Sequence, residues 1–311
     1  MKRFKNILYF ADGAISTCPA LQRAVDLARS NQARLTVIDV LPPAEPMEEV
    51  ESLLGMDLDM VLRERRQAQL EELVAGYQES DALIYSRVLT GNGFVEVIRS
   101  VLRGGHDLVI KAARPPQGVS ERLFGSSDMH LLRKCPCPVW IDRPQAASPY
   151  RTVLAAVDPT LKEGDETARL IMDLASSLAQ REDAGLVVVH AWRLYGESML
   201  RNGRGRISEG EVDMLLERGR VAHHDILASL LDAYGIAVDD PSVHLVKGEP
   251  AASILQTAEK CSADLIVMGT LGRSGIPGLF IGNTAEDVLQ ATRASVLAVK
   301  PQDFVSPVTA L

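Results

Sequence analysis

The chain has 311 residues, enough for about two domains, and its 46% hydrophobic and 24% charged residues are typical of globular proteins. This composition excludes a disordered chain and a collagen-like repeat, and four scattered cysteines exclude a disulfide scaffold. A net charge of −8 without a basic stripe argues against DNA as a partner, because duplex DNA is bound mainly through phosphate neutralisation. Since no apolar run approaches the ~18 residues that cross a bilayer, we expect a soluble, cytoplasmic protein without membrane insertion.

The first half of the chain contains short apolar runs that alternate with longer segments of helical periodicity. The predicted strands are Asn6–Phe10, Arg34–Val40, Ile84–Leu89, Leu108–Lys111 and Val139–Ile141. A long helix is predicted over roughly Met47–Gln78. Runs that are apolar throughout indicate parallel strands covered on both faces by helices.

A segment with two prolines and no periodicity, Arg143 to Pro149, predicts a linker. We therefore divide the chain into an N-terminal domain at 1–143, a linker at 144–150 and a C-terminal domain at 151–311.

The second half repeats the pattern of the first. Its predicted strands are Thr152–Val157, Gly185–Ala191, Val243–Val246, Leu265–Met268 and Ser295–Val299. A helix over Glu209–Tyr234 is predicted to bury one apolar stripe, formed by Val212, Leu215, Leu216, Ala222, Ile226 and Leu230.

The two halves are copies of one unit. A shift of 157 positions superimposes Gly91 on Gly248, Asp107-Leu108 on Asp264-Leu265, Gly125 on Gly282, Leu132 on Leu289, Val139 on Val296 and Pro144 on Pro301. A period of this length indicates a duplicated domain, because solenoid repeats are much shorter. Each copy is predicted to have the order β-α-β-α-β-α-β-α-β.

A glycine-rich loop follows the fourth strand of the second copy. Gly269, Gly272 and Gly282 form the pattern G-x2-G-x9-G-N, and a helix is predicted directly afterwards. Glycines allow backbone N–H groups to approach phosphate oxygens, and a helix start adds unpaired N–H groups. Arg273 can add a charged contact. The alternative is an ordinary strand-to-helix connection capped by Asn283.

Asp158 follows the first strand of the same copy, directly before Pro159. Ligands of open parallel sheets bind at the carboxyl ends of strands, so this carboxylate could accept from a ribose hydroxyl. Its alternative role is to cap a turn before Pro159.

These features resemble the adenine-nucleotide-binding universal stress proteins in their tandem form. The resemblance rests on the loop, the Val157-Asp158 start, and the stretches Gly105–Lys111, His130–Pro136 with Val139-Trp140, and Gly282–Glu286. It implies an α/β fold of two tandem domains, each a five-stranded parallel sheet of order 3-2-1-4-5 flanked by four helices.

The resemblance also implies a nucleotide site in the C-terminal domain. Its residues would be Val157, Asp158, Pro159, Val189, His190, Ala191, Met268, Gly269, Leu271, Gly272, Arg273, Gly282, Asn283 and Thr284. The bound cofactor would be ATP or AMP, with no metal except Mg²⁺ accompanying ATP. This chain has Asn283 where the strongest ATP binders of the family have Ser or Thr.

The N-terminal copy has a degenerate site. Asp12, Lys111, Gly125 and Ser126 remain at the matching positions, but Pro115-Pro116 replaces the glycine segment. Proline has no N–H group to offer a phosphate, so we expect no productive ATP binding there. The preferred interpretation of Lys111 is a residue at the end of its strand that forms a salt bridge.

Four other sequence features are interpreted as structural, without a role in ligand binding. Cys135 and Cys137 are interpreted as packing residues, and His223-His224 as surface histidines. The basic segment Arg201–Arg206 is interpreted as a solvated loop, and Gly91-x-Gly93 as a helix N-terminal turn.

The functional expectation is a stress-response regulatory protein that binds an adenine nucleotide or a similar anionic small molecule. No catalytic set is present, so ATPase activity would be slow and incidental at most. The alternative is a scaffold without a nucleotide, with an apolar or lipid-like ligand in its pocket. Family members pair through their last strand, which implies that Val139–Ile141 and Val296–Val299 pair within this chain and also allows a homodimer.

Overall fold

The computed structural model describes residues 4–14, 16–43, 57–77, 82–113, 125–143, 148–160, 162–202, 208–270 and 281–310. The strands are β1 (Asn6–Phe10), β2 (Arg34–Leu41), β3 (Leu83–Thr90), β4 (Leu108–Ala112), β5 (Val139–Asp142), β6 (Thr152–Ala156), β7 (Gly185–Trp192), β8 (Val243–Lys247), β9 (Leu265–Gly269) and β10 (Ser295–Val299). Every predicted strand is confirmed to within one residue at each end.

The helices of the described ranges are α1 (Pro19–Asn31), α2 (Leu58–Ala75), α3 (Gly93–Gly104), α4 (Ser126–Lys134), α5 (Lys162–Glu182), α6 (Glu197–Asn202), α7 (Glu209–Asp232), α8 (Pro250–Lys260) and α9 (Asn283–Ala291). The N-terminal part of the helix predicted from Met47 lies outside the described residues, as does Gln78. None of the helices described has the length and apolar character needed to cross a membrane.

The chain forms two compact units, and the first contains β1 to β5 together with β10. Its strand order is β3-β2-β1-β4-β5-β10, in which β1 to β5 are parallel and have the predicted order 3-2-1-4-5. Its apolar core is continuous along the sheet, and Leu8, Val109 and Trp140 are fully buried.

The last strand of the chain, β10, pairs antiparallel with β5. Val296 lies opposite Ile141, Leu297 opposite Trp140 and Ala298 opposite Val139, so the expected pairing of these two strands is confirmed. The Ser295 hydroxyl reinforces the pair because it donates to the Asp142 carboxylate at 3.0 Å. Two apolar strand edges are thereby covered within one chain.

The second unit contains β6 to β9. Its strands run in the order β8-β7-β6-β9 and are parallel, which repeats the order of the first four strands of the first unit. The carboxyl ends of β6, β7 and β9 therefore meet at one edge of its sheet.

The repeated aspartates hold the first strand of each unit. Asp107 accepts the N–H groups of Lys5 at 2.6 Å and Asn6 at 3.1 Å. Asp264 does the same for Arg151 at 2.7 Å and Thr152 at 3.1 Å. Backbone N–H groups at a strand start need an acceptor, which explains why the two copies share this residue.

The predicted apolar stripe of α7 is only partly correct. Val212 and Leu230 are buried as expected, but Leu215, Ala222 and Ile226 are exposed. The helix instead packs through the cluster Leu227, Leu230 and Leu231 near its C-terminal end. Spacing alone identified an amphipathic helix without showing which of its turns meet the rest of the unit.

Candidate functional site

The strand ends of the second unit bring several predicted residues together. Ala156 of β6 lies beside Val189 of β7 and beside Met268 of β9 in the sheet register. The next residues along these strands, among them Val157, His190 and Gly269, therefore share one sheet edge. The Val157 N–H extends the ladder by donating to the Val189 carbonyl at 3.0 Å.

Asp158 is exposed at this edge and shapes the turn that follows it. Its carboxylate accepts from the Thr160 hydroxyl at 2.6 Å and from the Thr160 N–H at 3.3 Å, while Pro159 is buried. This is the turn-capping role that the sequence offered as an alternative. The same contacts fix the exposed carboxylate in position beside the strand ends.

The helix after the glycine loop begins with groups suited to an anion. Gly282 is the N-cap of α9, and its N–H donates to the Thr270 carbonyl at 2.7 Å. Glycine has no side chain to accept from the first N–H groups of the helix, which belong to Asn283, Thr284 and Ala285. Asn283 is exposed and Thr284 half-buried. Leu271, Gly272 and Arg273 lie outside the described residues.

His190, at the predicted adenine border, is in contact with a second histidine, His223. The His190 ring is fully buried, with Nδ1 3.0 Å from the Val157 carbonyl and Nε2 2.9 Å from Nδ1 of His223. A carbonyl oxygen only accepts, so Nδ1 of His190 donates; in neutral His190, Nε2 then accepts from His223. His223 also stacks on Trp192, with ring centroids 5.3 Å apart. The interpretation of His223 as a surface histidine is therefore wrong.

We predict that His223→Leu lowers the stability of the second unit by about 1–3 kcal/mol, since it removes the side-chain partner of a buried ring nitrogen. His224→Leu is the matched control, because His224 contacts the exposed Asp225 and Asp239 and should change stability by less than about 0.5 kcal/mol. Urea unfolding of both variants measures the difference. Equal losses in the two variants would contradict a specific role for the His190–His223 contact.

The first unit holds a buried ion cluster at the corresponding place. The Lys111 ammonium lies 2.6 Å from the Asp128 carboxylate and 3.0 Å from the Asp12 carboxylate. Lys111 and Asp128 are each 1% exposed, so the interpretation of Lys111 as a salt-bridged strand end is confirmed. Asp128 also accepts the Gly125 N–H at 3.1 Å, at the start of α4.

This ion cluster changes what the N-terminal copy can bind. The Asp128 carboxylate pairs with Lys111 and accepts the Gly125 N–H, so an anionic side chain already occupies the start of α4, where Gly125 and Ser126 lie. In the second unit Met268 stands at the position of Lys111 and Ala285 at that of Asp128, according to the strand register and the helix caps. Pro115 and Pro116 lie outside the described residues.

The universal stress protein family model matches residues 3–143 and 149–300, which together cover most of the chain. The chain belongs to the universal stress protein family. Universal stress protein E of Escherichia coli K12 is 30% identical over 313 residues, covering 99% of this chain and 98% of the relative. The protein of the same name from Salmonella typhi is 29% identical with the same coverage.

Two solved structures show that this universal stress protein shares the tandem fold. A functionally unknown protein from Pseudomonas aeruginosa PAO1 is 24% identical and has a TM-score of 0.76, covering 97% of this chain and 94% of that one. A universal stress protein from Archaeoglobus fulgidus DSM 4304 is 19% identical with a TM-score of 0.63, covering 96% and 99%. At these identities the likeness concerns the fold alone.

The other sequence signals have ordinary places in this family member. Gly93 begins α3 and Gly91 adopts a φ of 144°, as expected for a helix N-terminal turn. Arg201 pairs with Glu197 and Asp213 and, like Asn202, belongs to α6, so the loop interpretation is wrong for these two residues; residues 203–206 of the basic segment lie outside the described part. Among the described residues, no group of three or more His, Cys, Asp or Glu side chains is placed to hold a metal ion.

A separate cavity of about 600 Å³ lies along α7 and β8. Trp192, Leu216 and Leu245 contribute apolar surface, but four carboxylates also line it, those of Asp213, Glu217, Asp239 and Asp240. None of its lining residues belongs to the predicted nucleotide site. The cavity is therefore distinct from the strand-end pocket to which the alternative hypothesis of an apolar or lipid-like ligand refers.

Two residues of the site region were missed by sequence reasoning. Asp128 has a detectable signal, because the shift of 157 positions replaces Lys111 and Asp128 together by Met268 and Ala285. A charged pair exchanged for an apolar pair indicates contact. His223 has no comparable signal, since its partner His190 is 33 residues away on a different element.

Proposed function

We propose that the second unit binds an adenine nucleotide, ATP or AMP, and that the bound state changes the contacts of a stress-response regulator with its partners. The adenosine would lie at the strand ends near Val157, Asp158 and residues 189–191. The phosphates would lie at the start of α9, near Gly282, Asn283 and Thr284, with Met268 and Gly269 between the two ends. The loop residues Leu271, Gly272 and Arg273 would complete the site.

The observation that carries this proposal is the difference between the two helix starts. In the first unit a carboxylate and an ammonium fill the space beside the start of α4. In the second unit the equivalent residues are Met268 and Ala285, so the position of Asp128 carries no carboxylate; the acidic residue in the first turn of α9 is Glu286, one position further along the helix. Unpaired N–H groups and the helix dipole favour phosphate at such a place.

We propose a binding role without catalysis. Hydrolysis of ATP needs a positioned base or a metal-binding acid near the phosphates. Asp158 is the carboxylate at the predicted site, and its contacts with Thr160 assign it a positioning role. Mg²⁺ would enter only as the companion of ATP.

The test is protection of the protein by ATP against thermal unfolding. Ligand at 100 times its Kd should stabilise the site-bearing unit by about 2.7 kcal/mol. Gly272→Ala with Gly282→Ala should abolish this protection, because added Cβ atoms obstruct close approach of the backbone to phosphate.

Gly125→Ala is the matched control in the first unit. A Cβ at this position would meet the Asp128 carboxylate at 3.7 Å, an ordinary contact, so the variant should fold and keep full ATP protection. Titration should find one nucleotide site per chain. Unchanged protection in the Gly272/Gly282 double variant, or two equivalent sites, would overturn the assignment. Native mass spectrometry of freshly purified protein would reveal an apolar adduct if the scaffold alternative holds.

A further inference from the structure

Two cysteines of the first unit lie in the short connection between α4 and β5. Cys135 directly follows α4 and Cys137 precedes β5, with Pro136 and Pro138 alternating with them. Both are buried, as expected for packing residues: Cys135 is fully buried and Cys137 is 9% exposed. Their sulfur atoms are 3.6 Å apart, which packing alone does not require.

This separation places the two thiols close to bonding distance. A disulfide needs its sulfurs about 2.05 Å apart, so each must move by less than about 1 Å, which side-chain rotation can supply. The prolines fix φ at their positions and limit the conformations of the connection, which keeps the two side chains together. A dithiol held in this way is favoured to close on itself over reacting with another chain.

A buried ammonium accompanies the pair. Lys300 donates from Nζ to the carbonyl of Leu132 at 2.7 Å and to that of Arg133 at 3.2 Å, near the end of α4. Burial lowers the pKa of Lys300 to about 8, and its interaction with Cys135 opposes that lowering. At neutral pH the ammonium therefore remains mostly charged. It offsets the partial negative charge of the helix end and places a positive charge that interacts with Cys135.

The two sulfurs have different roles in this arrangement. The contact with Cys135, together with burial, raises the pKa of Cys137 well above its usual value. Cys137 accordingly keeps its proton more readily, with its sulfur 3.6 Å from that of Cys135. Such asymmetry is what a nucleophilic thiol and a resolving thiol need.

We propose that Cys135 and Cys137 form a reversible redox site whose oxidant is hydrogen peroxide. The Cys135 thiolate attacks one peroxide oxygen, the O–O bond breaks, and the departing hydroxide takes a proton to give water, leaving Cys135 as a sulfenic acid. The Cys137 sulfur then attacks the Cys135 sulfur, the S–O bond breaks, and the hydroxyl leaves as water with the Cys137 proton. Two thiols and one hydrogen peroxide thus give one disulfide and two water molecules.

Burial selects the oxidant. Hydrogen peroxide is close to water in size, whereas a bulky disulfide such as oxidised glutathione needs an exposed sulfur for exchange. We therefore expect Cys135 and Cys137 in the folded protein to react with hydrogen peroxide and not with oxidised glutathione.

The test is thiol counting on the full-length folded chain. The reduced protein has four cysteines, and denaturation with N-ethylmaleimide should label all four. After exposure to hydrogen peroxide only Cys18 and Cys261 should be labelled, the intact mass should fall by two hydrogens, and dithiothreitol should restore four labels. Oxidised glutathione should leave Cys135 and Cys137 free to be labelled, because both are buried.

Variants separate this site from general oxidation. Cys137→Ser should block the disulfide and leave a sulfenic acid on Cys135, which dimedone traps when it is added together with the denaturant because Cys135 is fully buried in the folded chain. Cys261→Ser should still lose two thiols to peroxide. The proposal is overturned if four labels remain after peroxide treatment, or if the labels are lost from Cys18 or Cys261. It is also overturned if Cys135 and Cys137 pair only after the chain is unfolded.

Discussion

Replacing Lys111 by methionine should lower the free energy of unfolding of the first unit by about 3–5 kcal/mol, although methionine is the residue that the second unit has at the same place. The reason is the surroundings of the side chain. Lys111 is the cation 2.6 Å from Asp128 and 3.0 Å from Asp12, and Asp128 is 1% exposed. Without the ammonium the buried Asp128 carboxylate loses the cation 2.6 Å from it and keeps the more general electrostatic interaction with Arg143.

The matched control is the double variant Lys111→Met with Asp128→Ala, which reproduces the residues of the second unit. Exchange of a buried ion pair for apolar residues is commonly neutral or stabilising, so the double variant should recover most of the lost stability. Asp12 is the more exposed of the two carboxylates, at 13% for its side chain.

Urea unfolding measures both variants, and the two tryptophans allow the units to be followed separately. Trp140 lies in the first unit and Trp192 in the second, so a Trp192→Phe background leaves Trp140 fluorescence to report on the first unit. If the double variant is as unstable as the single variant, the Lys111–Asp128 contact does not account for the loss.

The sheet could be predicted closely because its signals are local. Runs such as Leu108–Lys111 are apolar without interruption, and the duplicated order of elements limits the topology. The β5–β10 pairing followed from the family resemblance and from two strongly apolar strands that need cover. The buried face of α7 could not be predicted, because several of its turns are apolar and only tertiary contacts decide which are covered.

The sequence predicts which residues lie at the strand ends of the site, but not which side chains contact each other there. Asp158 and Gly269 follow strands whose register the repeat defines. The Lys111–Asp128 and His190–His223 contacts join positions far apart in sequence, and each depends on a helix docking at one rotation. An Asp or a His in a helix is most often exposed to solvent, so the residue type alone does not indicate that the side chain has a buried partner.

Transferring the ion pair of the first unit to the second, by Met268→Lys with Ala285→Asp, should lower protection by ATP from about 2.7 kcal/mol to about 1.4 kcal/mol or less at an unchanged ATP concentration. The new carboxylate would stand in the first turn of α9, as Asp128 stands in α4, and would oppose the phosphates proposed there. Loss of one or two charge-assisted contacts, at about 1.5–3 kcal/mol each, corresponds to a fall in affinity of at least roughly tenfold.

The two single variants show what each substitution contributes to the change in ATP protection and in stability. Ala285→Asp alone should lose ATP protection and also stability, because Ala285 is buried and its carboxylate would have no cation. Met268→Lys alone should keep ATP binding or strengthen it, since an unpaired ammonium near the phosphates is favourable. Only the double variant should combine a stable fold with lost binding. Thermal unfolding with and without ATP measures all three, and undiminished ATP protection in the double variant would place the phosphates away from the start of α9.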